Sequence, residues 1–579
     1  MPSKHLLLLI ALTGLSGTLF SQHVDKGQYN GWNYGPHGVY GNLPLTKTAE
    51  RKYYTIEKKD DTTVVVRQFN PSGISINTTT ITFVNGLLSR VEEANQWGDT
   101  SDYRKFTPQG KNEFIVTNLR WGVNNFLPCK YAKYIYNKEL LTEIQYYSFA
   151  DSLAENEDGC AIVRYQRYDD KIRFAEIKET SWFDAQNHPV ISKTAECHTL
   201  VNEYDDHDNK LSESYRDINN QPVAIHTGRQ AGRQFTYDEQ NRLVKSEYHG
   251  LDGGIAQNAT GIAMEETEYS HGYPSKETRF DARHVVCRTS PAGDSIAIIK
   301  YQYDSNGNKI REAYYDEGEI PIIDHTGVHK ILNSYSADML VQTSFVDDLQ
   351  NPSMNRDGIH MIRYGRDSIG RLIEESTYDV EGVPTRNFSD KVYMRQFKYD
   401  KYGRRISVSY WKDSVTMMPR WSGSFAETTN YDEHGRAVEY RYLDQFGEPF
   451  TGAEGSSMSR LVYKADGRLG MRQYLDHDTL TSKRKGVTRG YSILRYSHDE
   501  HGRVKELTFF DVNDQPVNAI INFAAPFPAQ RIVFIYKGSR IVQQFYYQIG
   551  NDLPFRIVDC LKNDYIATSG INTGRRNLY

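Results

Sequence analysis

Tyr431-Asp432-Glu433-His434-Gly435-Arg436, continued by AVEYRYLDQFGEP to Pro449, is the unit from which much of this 579-residue chain is built. It contains an aspartate, a glycine three residues later, a second aspartate twelve residues after the first, and a proline five residues after that. The aspartates and the proline keep this spacing in four further copies: Asp205, Asp217, Pro222; Asp304, Asp316, Pro321; Asp367, Asp379, Pro384; Asp499, Asp511, Pro516. A period of about 32 residues indicates a repeat protein.

Each part of the unit has a physical reason for its residues. In Asp-x-x-Gly the aspartate accepts backbone N–H bonds at the start of a tight turn, and the glycine supplies the positive φ that closes it. After the turn, Val438, Tyr440 and Tyr442 alternate along a strand and share one face. The second aspartate and the proline end that strand, because proline cannot donate to a ladder. Positive φ is therefore predicted at five glycines: Gly307, Gly370, Gly403, Gly435 and Gly502.

This pattern predicts an all-β fold of tandem antiparallel β-hairpin repeats. So many strands do not stay flat, so the array is expected to coil into a solenoid or spiral sheet. Each repeat is expected to pack only on its neighbours. A propeller is the alternative, although a propeller blade needs four strands over about 40 residues.

The chain divides into four predicted regions: a signal peptide (1–21), an irregular N-terminal β region or cap (22–155), the tandem β-hairpin repeats (156–525), and a C-terminal hairpin cap and tail (526–579). The first region has Lys4 before the apolar run Leu6–Leu12, as a secretory signal does. In the second, 28–41 is rich in Gly, Asn and Tyr and is predicted to be loop. Asn85-Gly86, between two apolar runs, is predicted to be a hairpin turn.

Composition excludes some classes of function. A net charge of −5 and a pI near 6.4 give no electrostatic case for nucleic acid. After removal of the signal, no apolar stretch is long enough to span a membrane. The five cysteines have long spacings and form no CxxC, so one disulfide and buried free thiols both stay open: Cys129, Cys160, Cys197, Cys287 and Cys560.

The Tyr-Asp-x-x-Gly-Arg segments 431–436 and 399–404, with Asp499 to Arg503, resemble the YD repeats of bacterial Rhs-type and teneurin-like surface proteins. The likeness covers roughly 165–517, and the unit here is longer, at about 32 residues. The resemblance implies β-hairpins that wind into a spiral sheet, which in Rhs proteins forms a shell around a toxin.

The sequence shows no established catalytic, nucleotide or zinc motif. Three carboxylate pairs occupy turns or solvent-facing strand positions and are predicted to be solvated: Glu374 and Glu375, Asp347 and Asp348, Asp476 and Asp478. Asp304–Asn308 has oxygen ligands at alternate positions, as in part of a calcium loop, but lacks the distal glutamate. His434 is predicted to be an exposed turn residue. We therefore expect no catalytic residue, cofactor or metal site, and no enzyme activity.

The loops between the proline and the next glycine vary most between copies, as Thr385–Asp390 and Thr451–Gly455 show. Variable loops on a constant scaffold usually determine specificity. We expect an exported protein of the periplasm, cell surface or medium that offers a binding or scaffolding surface to an envelope protein or glycan. Alternatives are a carbohydrate-binding or carbohydrate-active protein, with Trp411, Trp421 and tyrosines stacking on sugars, and a shell-like casing.

Overall fold

The computed structural model of the chain describes residues 28–29, 32–41, 51–118, 129–137, 139–156, 158–168, 176–225, 230–289, 295–387, 391–420, 422–452, 455–481, 490–499, 503–519, 528–537 and 540–560. The predicted signal peptide and the end of the predicted tail lie outside these residues. Within them all regular structure is β, as the repeat pattern predicts.

Eleven strands precede the regular repeats: β1 (Gln28–Tyr29), β2 (Trp32–Gly35), β3 (Gly38–Gly41), β4 (Tyr53–Lys58), β5 (Thr63–Phe69), β6 (Ser75–Val84), β7 (Leu87–Asn95), β8 (Thr100–Pro108), β9 (Glu113–Asn118), β10 (Tyr131–Asn137) and β11 (Leu140–Tyr147). The predicted hairpin turn at Asn85-Gly86 is confirmed between β6 and β7. The prediction of loop for 28–41 is wrong, because β1 to β3 lie there.

The remaining strands form the repeats and the C-terminal hairpin: β12 (Ile162–Arg167), β13 (Ile177–Phe183), β14 (Thr199–Tyr204), β15 (Lys210–Arg216), β16 (Gly232–Tyr237), β17 (Leu243–His249), β18 (Met264–Ser270), β19 (Tyr273–Phe280), β20 (Ile298–Tyr303), β21 (Lys309–Tyr315), β22 (Lys330–Ser336), β23 (Met339–Val346), β24 (Met361–Arg366), β25 (Leu372–Tyr378), β26 (Met394–Tyr399), β27 (Arg405–Trp411), β28 (Ala426–Tyr431), β29 (Ala437–Leu443), β30 (Met458–Tyr463), β31 (Leu469–Asp476), β32 (Thr479–Leu480), β33 (Ile493–His498), β34 (Val504–Phe510), β35 (Arg531–Lys537), β36 (Arg540–Tyr547) and β37 (Arg556–Asp559).

These strands form one antiparallel sheet of 35 strands, with β2 and β3 as a separate hairpin. From β4 onward each strand pairs with the next along the chain, except that β31 pairs with both β32 and β33. Successive turns therefore alternate between two edges. We call the edge that holds the Asp-x-x-Gly turns, such as Asp432–Gly435, the tyrosine edge. The opposite edge, which holds turns such as Asp444–Pro449, is the proline edge.

The Asp-x-x-Gly turns have the predicted geometry. The Oδ1 atom of Asp432 accepts the backbone N–H groups of His434 and Arg436 at 3.0 and 2.8 Å. Positive φ is confirmed at four of the five predicted glycines, and Gly502 lies outside the described residues: Gly307, Gly370, Gly403 and Gly435. The aspartate and the glycine therefore stabilise the turn together, one by hydrogen bonding and one by conformation.

At the proline edge the chain folds back on itself. As predicted, β29 ends before Asp444, but the chain then returns and Pro449 forms an isolated bridge with Leu443. The hydrogen bond beside this bridge runs from the N–H of Phe450 to the carbonyl of Tyr442, at 2.9 Å. Proline is accommodated because that position of the bridge needs no N–H.

The Tyr-Asp-x-x-Gly-Arg motif joins consecutive hairpins. Arg404 pairs with Asp400 of its own turn at 2.6 Å, and its guanidinium carbon lies 4.7 Å from the ring centroid of Tyr431 in the next hairpin. The hydroxyl of Tyr431 donates in return to the carbonyl of Arg405 at 3.1 Å. The same arginine–tyrosine stacking recurs in four further pairs: Arg242 with Tyr269, Arg371 with Tyr399, Arg436 with Tyr463, and Arg503 with Tyr536.

The junction between Lys464 and His498 departs from this motif. Lys464 replaces the turn aspartate and His498 replaces the tyrosine of the next hairpin, and the two side-chain nitrogens lie 3.3 Å apart. Burial, together with the charges of Lys464 and Arg468, lowers the pKa of His498 to about 4. The imidazole is therefore neutral in the folded protein near pH 7 and is able to accept a hydrogen bond from the ammonium.

The sheet also contacts itself across long sequence distances. The proline-edge turn between β5 and β6 lies against tyrosine-edge turns up to fifteen strands further along. The Nδ2 atom of Asn70 donates to the carbonyl of Asn306 at 2.7 Å, and the hydroxyl of Tyr273 lies 3.0 Å from the hydroxyl of Ser72. We call this line of contacts between the two edges the seam.

Trp97 makes the second contact of the seam, from the proline-edge turn between β7 and β8. Its indole nitrogen donates to the carbonyl of Ala337 at 3.1 Å. Its ring lies on Gly370, where an added Cβ would come within 2.6 Å of a ring carbon. The glycine of the Asp-x-x-Gly turn thus leaves room for an aromatic ring as well as supplying positive φ.

Phe149 makes the third contact, from the proline-edge turn between β11 and β12. Its N–H donates to the carbonyl of Asp466 at 3.3 Å, and its ring leaves no room for a Cβ at Gly467. The guanidinium of Arg436 lies 4.5 Å from the ring centroid, and the ring of His434 lies edge-on at 5.0 Å. His434 is a turn residue, as predicted, but it is half-buried rather than fully exposed because its ring packs in the seam.

The seam shows how the sheet winds. Proline-edge turns of the first strands meet tyrosine-edge turns that lie fifteen to nineteen strands later, so one coil of the sheet takes about that many strands. A solenoid-like repeat sheet is confirmed. The expectation that repeats pack only on sequence neighbours is wrong, because the seam joins residues 236 and 240 positions apart.

The first coil has the largest core. Val39 of the β2–β3 hairpin is buried together with Ile81, Phe83 and Phe114 of the sheet, and the carbonyl of Pro36 accepts the N–H of Leu88. All five cysteines are free thiols; four are buried and Cys287 is half-buried. Of the two possibilities left open by the sequence, the free thiols are the one observed.

We expect Gly370→Ala to destabilise the protein more than Gly382→Ala, by about 1–3 kcal/mol, because of overpacking against Trp97. Both glycines have similar positive φ, at 83° and 78°, so both variants share the backbone strain. Only Gly370 faces a ring, since no described atom lies within 4 Å of a Cβ at Gly382. Urea unfolding measures the difference, and equal losses in the two variants would contradict the seam.

The depressed pKa of His498 predicts a pH dependence of stability. The unfolded chain takes up a proton near pH 6.5, whereas the folded chain resists it until about pH 4. The stability contributed by this neutral histidine is thus fully present above pH 6.5 and lost as the pH falls towards 4. His498→Tyr, which restores the motif, is expected to flatten that part of the pH profile in urea titrations. His207→Tyr, at an exposed turn position, is the control; an unchanged slope in His498→Tyr would refute the assignment.

Candidate functional site

The proline-edge loops are built from short turns whose polar groups satisfy one another. In the turn after β15, the Oδ1 atom of Asp217 accepts the N–H groups of Asn219 and Gln221 at 2.8 and 2.9 Å. Asn220 takes a positive φ of 62° to close it. The aspartate and the strand end fix each turn, which leaves the side chains of the tip residues free to vary.

The tips of these turns present large apolar side chains in successive repeats, and we call this set the apolar row. Its members are between 42% and 83% exposed. They are Ile218, Leu251, Val285, Ile320, Leu349, Val383, Val415, Phe446, Val512 and Ile549. A single exposed aliphatic residue is ordinary, but one at each of ten proline-edge turns makes an ordered surface. The proline-edge turns after β13 and β31 have no member of the row.

Acidic side chains accompany the apolar row. Asp348 precedes Leu349 in its turn, and Glu448 follows Phe446 by two residues. Glu319, beside Ile320, pairs with Lys276 and Lys300 at 2.7 and 2.6 Å. Apolar side chains within a charged surround are typical of protein-binding surfaces.

The aromatic residues are mostly engaged in packing. The indole nitrogen of Trp411 donates to Ser409 at 2.8 Å, and Trp421 lies outside the described residues. The tyrosines of the motif lie under arginines, as at Tyr431. Within the described chain, Tyr402, Phe446 and Phe555 are the exposed large aromatics, and they form no row.

Four of the six carboxylates singled out in the sequence have local partners. Glu375 pairs with Arg395 at 2.7 Å, Glu374 accepts from Gln396 at 3.2 Å, and Asp347 accepts the N–H of Asn351. Asp476 accepts from the hydroxyl of Thr451 and lies 3.1 Å from the ring of His477. These contacts place the four carboxylates in the hydrogen bonding of their own turns and strands.

Asp304, first in the calcium-like segment, is a turn residue. Its Oδ1 atom accepts the N–H groups of Asn306 and Asn308, each at 2.9 Å, and its Oδ2 atom accepts the side-chain amide of Asn308. The side-chain amides of Asn306 and Asn308 also donate to the carboxylate of Asp338 in the next hairpin. The oxygens therefore serve N–H donors of the turn rather than converge on a cation.

The described residues were searched for metal-binding groups and for membrane-spanning helices. They contain no group of three or more His, Cys, Asp or Glu side chains placed to hold a metal ion. Likewise, the described part of the chain has no helix long and apolar enough to cross a membrane.

Comparisons with known proteins give only low-scoring likenesses to solved structures. No family model and no curated protein matches the chain. A chain of the Tc holotoxin pore of Photorhabdus luminescens is 10% identical over 88% of this chain and 31% of that one, with a TM-score of 0.28. A TcdB2–TccC3 structure is also 10% identical, over 86% and 31%, with a TM-score of 0.26. A porin-like protein from Bacteroides uniformis is 8% identical over 51% and 94%, with a TM-score of 0.15.

The chain spans about a third of the Tc toxin chains that it matches. With scores this low, the likeness is a weak resemblance in fold and assigns no role to any residue. The structure itself defines the class: a β-repeat protein whose single sheet winds on itself along a seam.

Proposed function

We propose that this chain is an exported β-repeat scaffold that binds protein partners at the cell envelope along its open proline edge. The apolar row is the observation that supports this most strongly. Trp97 and Phe149, at the tips of proline-edge turns in the first coil, are docked against glycines of the seam. In later repeats, tip residues such as Leu349 and Phe446 are exposed and offer the same kind of contact.

A protein partner fits these turns better than a glycan does. Sugars bind to exposed aromatic faces, whereas the apolar row is mainly aliphatic. Binding, rather than catalysis, is the role we propose, since four of the six candidate carboxylates engage local partners. The net charge of −5 gives no basis for a nucleic acid partner.

Export rests on the N-terminal segment, in which Lys4 precedes the apolar run Leu6–Leu12. Deletion of residues 1–21 is expected to leave a tagged chain in the cytoplasm, whereas the full chain fractionates with the envelope or the medium. The measurement is cell fractionation with immunoblotting. A full chain that stays cytoplasmic would contradict export.

The binding surface is tested by capture of cross-linked envelope proteins. Leu349, Val415 and Phe446, each changed to Thr, should lower the yield of partners about tenfold, which corresponds to about 1.4 kcal/mol. The matched control changes Leu332, Ile373 and Val462 to Thr; these are exposed aliphatic residues within strands. Equal capture by both variants, or a loss in the control alone, would refute the surface.

A further inference from the structure

We propose that the partner of the open proline edge is a second copy of this chain. The apolar row of one copy would contact the tyrosine edge of the first coil of the second copy. Within one chain, the seam makes the same kind of contact, between proline-edge turns of the first coil and tyrosine-edge turns of later strands. The inference rests on the proposed function, because it names the partner of the same surface. The inference adds two things to the proposed function: the direction in which copies assemble, and a complementary surface on the tyrosine edge of the first coil.

One proline-edge turn of the open edge repeats the motif that docks in the seam. Gln96-Trp97-Gly98-Asp99 has its counterpart in Gln445-Phe446-Gly447-Glu448, and both glycines have positive φ, at 95° and 86°. The Trp97 ring lies on Gly370 of the seam. Phe446 occupies the same place in its turn but is 79% exposed. The chain therefore holds one docked and one undocked form of the same element.

The open edge continues directly from the closed one. Seam contacts reach along the proline edge from the turn after β5 to the turn after β11. In the following turn, after β13, Gln186, Asn187 and His188 are exposed. The seam contacts along the proline edge thus stop before the turn after β13. The same edge continues through the later repeats, where the apolar row is exposed.

The complementary surface lies on the tyrosine edge of the first coil. Gly86 has a positive φ of 74°, like Gly370 at 83°, and no described atom lies within 4 Å of a Cβ built on it. Val84, two residues earlier, is 54% exposed. A bare turn glycine with open space beside it is the feature that accepts Trp97 and Phe149 within the seam.

The two surfaces lie on opposite edges and belong to different parts of the spiral. The contact between copies would therefore be heterologous, with the proline edge of one chain meeting the tyrosine edge of the next. Such contacts do not close a pair and instead add copies in one direction. The assembled sheets would continue the seam from one chain into the next.

Sedimentation velocity of the purified full chain over a range of concentrations tests this proposal. Two variants each remove one surface: Phe446→Ser on the proline edge, and Val84→Lys with Gly86→Asn on the tyrosine edge. Asparagine tolerates positive φ, so the second variant fills the open space without a new backbone strain. Circular dichroism and thermal melting confirm that both variants fold.

We expect the unmodified chain to form larger species as its concentration rises, and each variant alone to remain monomeric. Mixing the variants should restore a paired species, because each retains the surface that the other lacks. An unmodified chain that is monomeric at every concentration would overturn the proposal, as would association that survives Phe446→Ser. A mixture of the two variants that fails to pair would also overturn the proposal. That failure is the result expected if two copies instead met symmetrically, each through its own Phe446. The proposed function is judged separately: if envelope capture still depends on the apolar row, it stands without self-association.

Discussion

The joining of one hairpin to the next is the constraint on which this fold depends, and one contact does this at five junctions: an arginine fixed by the carboxylate of its own turn and laid on the tyrosine ring of the next hairpin. At Arg404 the pairing with Asp400 orients the guanidinium, and Tyr431 both receives it and donates to the backbone beside it. Cation–π stacking and a hydrogen bond contribute on the order of 1 kcal/mol each. At these junctions the contact joins neighbouring hairpins through their side chains, in addition to the hydrogen bonds of the sheet.

The seam depends on the same turns for a second reason. Glycine permits the left-handed backbone of these turns, and its missing side chain leaves room for the ring of Trp97 at Gly370 and for the ring of Phe149 at Gly467. One residue type thus satisfies a local and a long-range requirement. This explains why the proline edge is covered only where it meets those turns.

The sequence predicted the features that depend on residues close together along the chain. Asp432 and Gly435 determine their turn, and alternation after Arg436 determines the strand, so the hairpins and the solenoid were accessible from spacing. The seam was not, because the contact of Trp97 with Gly370 depends on the pitch of the whole sheet. Likewise, the glycines and asparagines of 28–41 favour a loop, whereas the β2–β3 hairpin packs Val39 into the core of the first coil. The apolar row did leave a signal, since Ile218 and Val512 each follow the second aspartate of their repeat, but exposure requires the structure.

The length of one coil also governs the order in which the molecule can be completed. Asn70 and Asn306 are 236 residues apart, and the loop between them must be ordered before their contact forms. A chain that folds from its N-terminus therefore has a first coil with a bare edge while the later strands are still unfolded. High contact order of this kind slows folding and prolongs exposure of unpaired edges. The protein's sensitivity to aggregation is thus concentrated in the interval between completing the first coil and closing it.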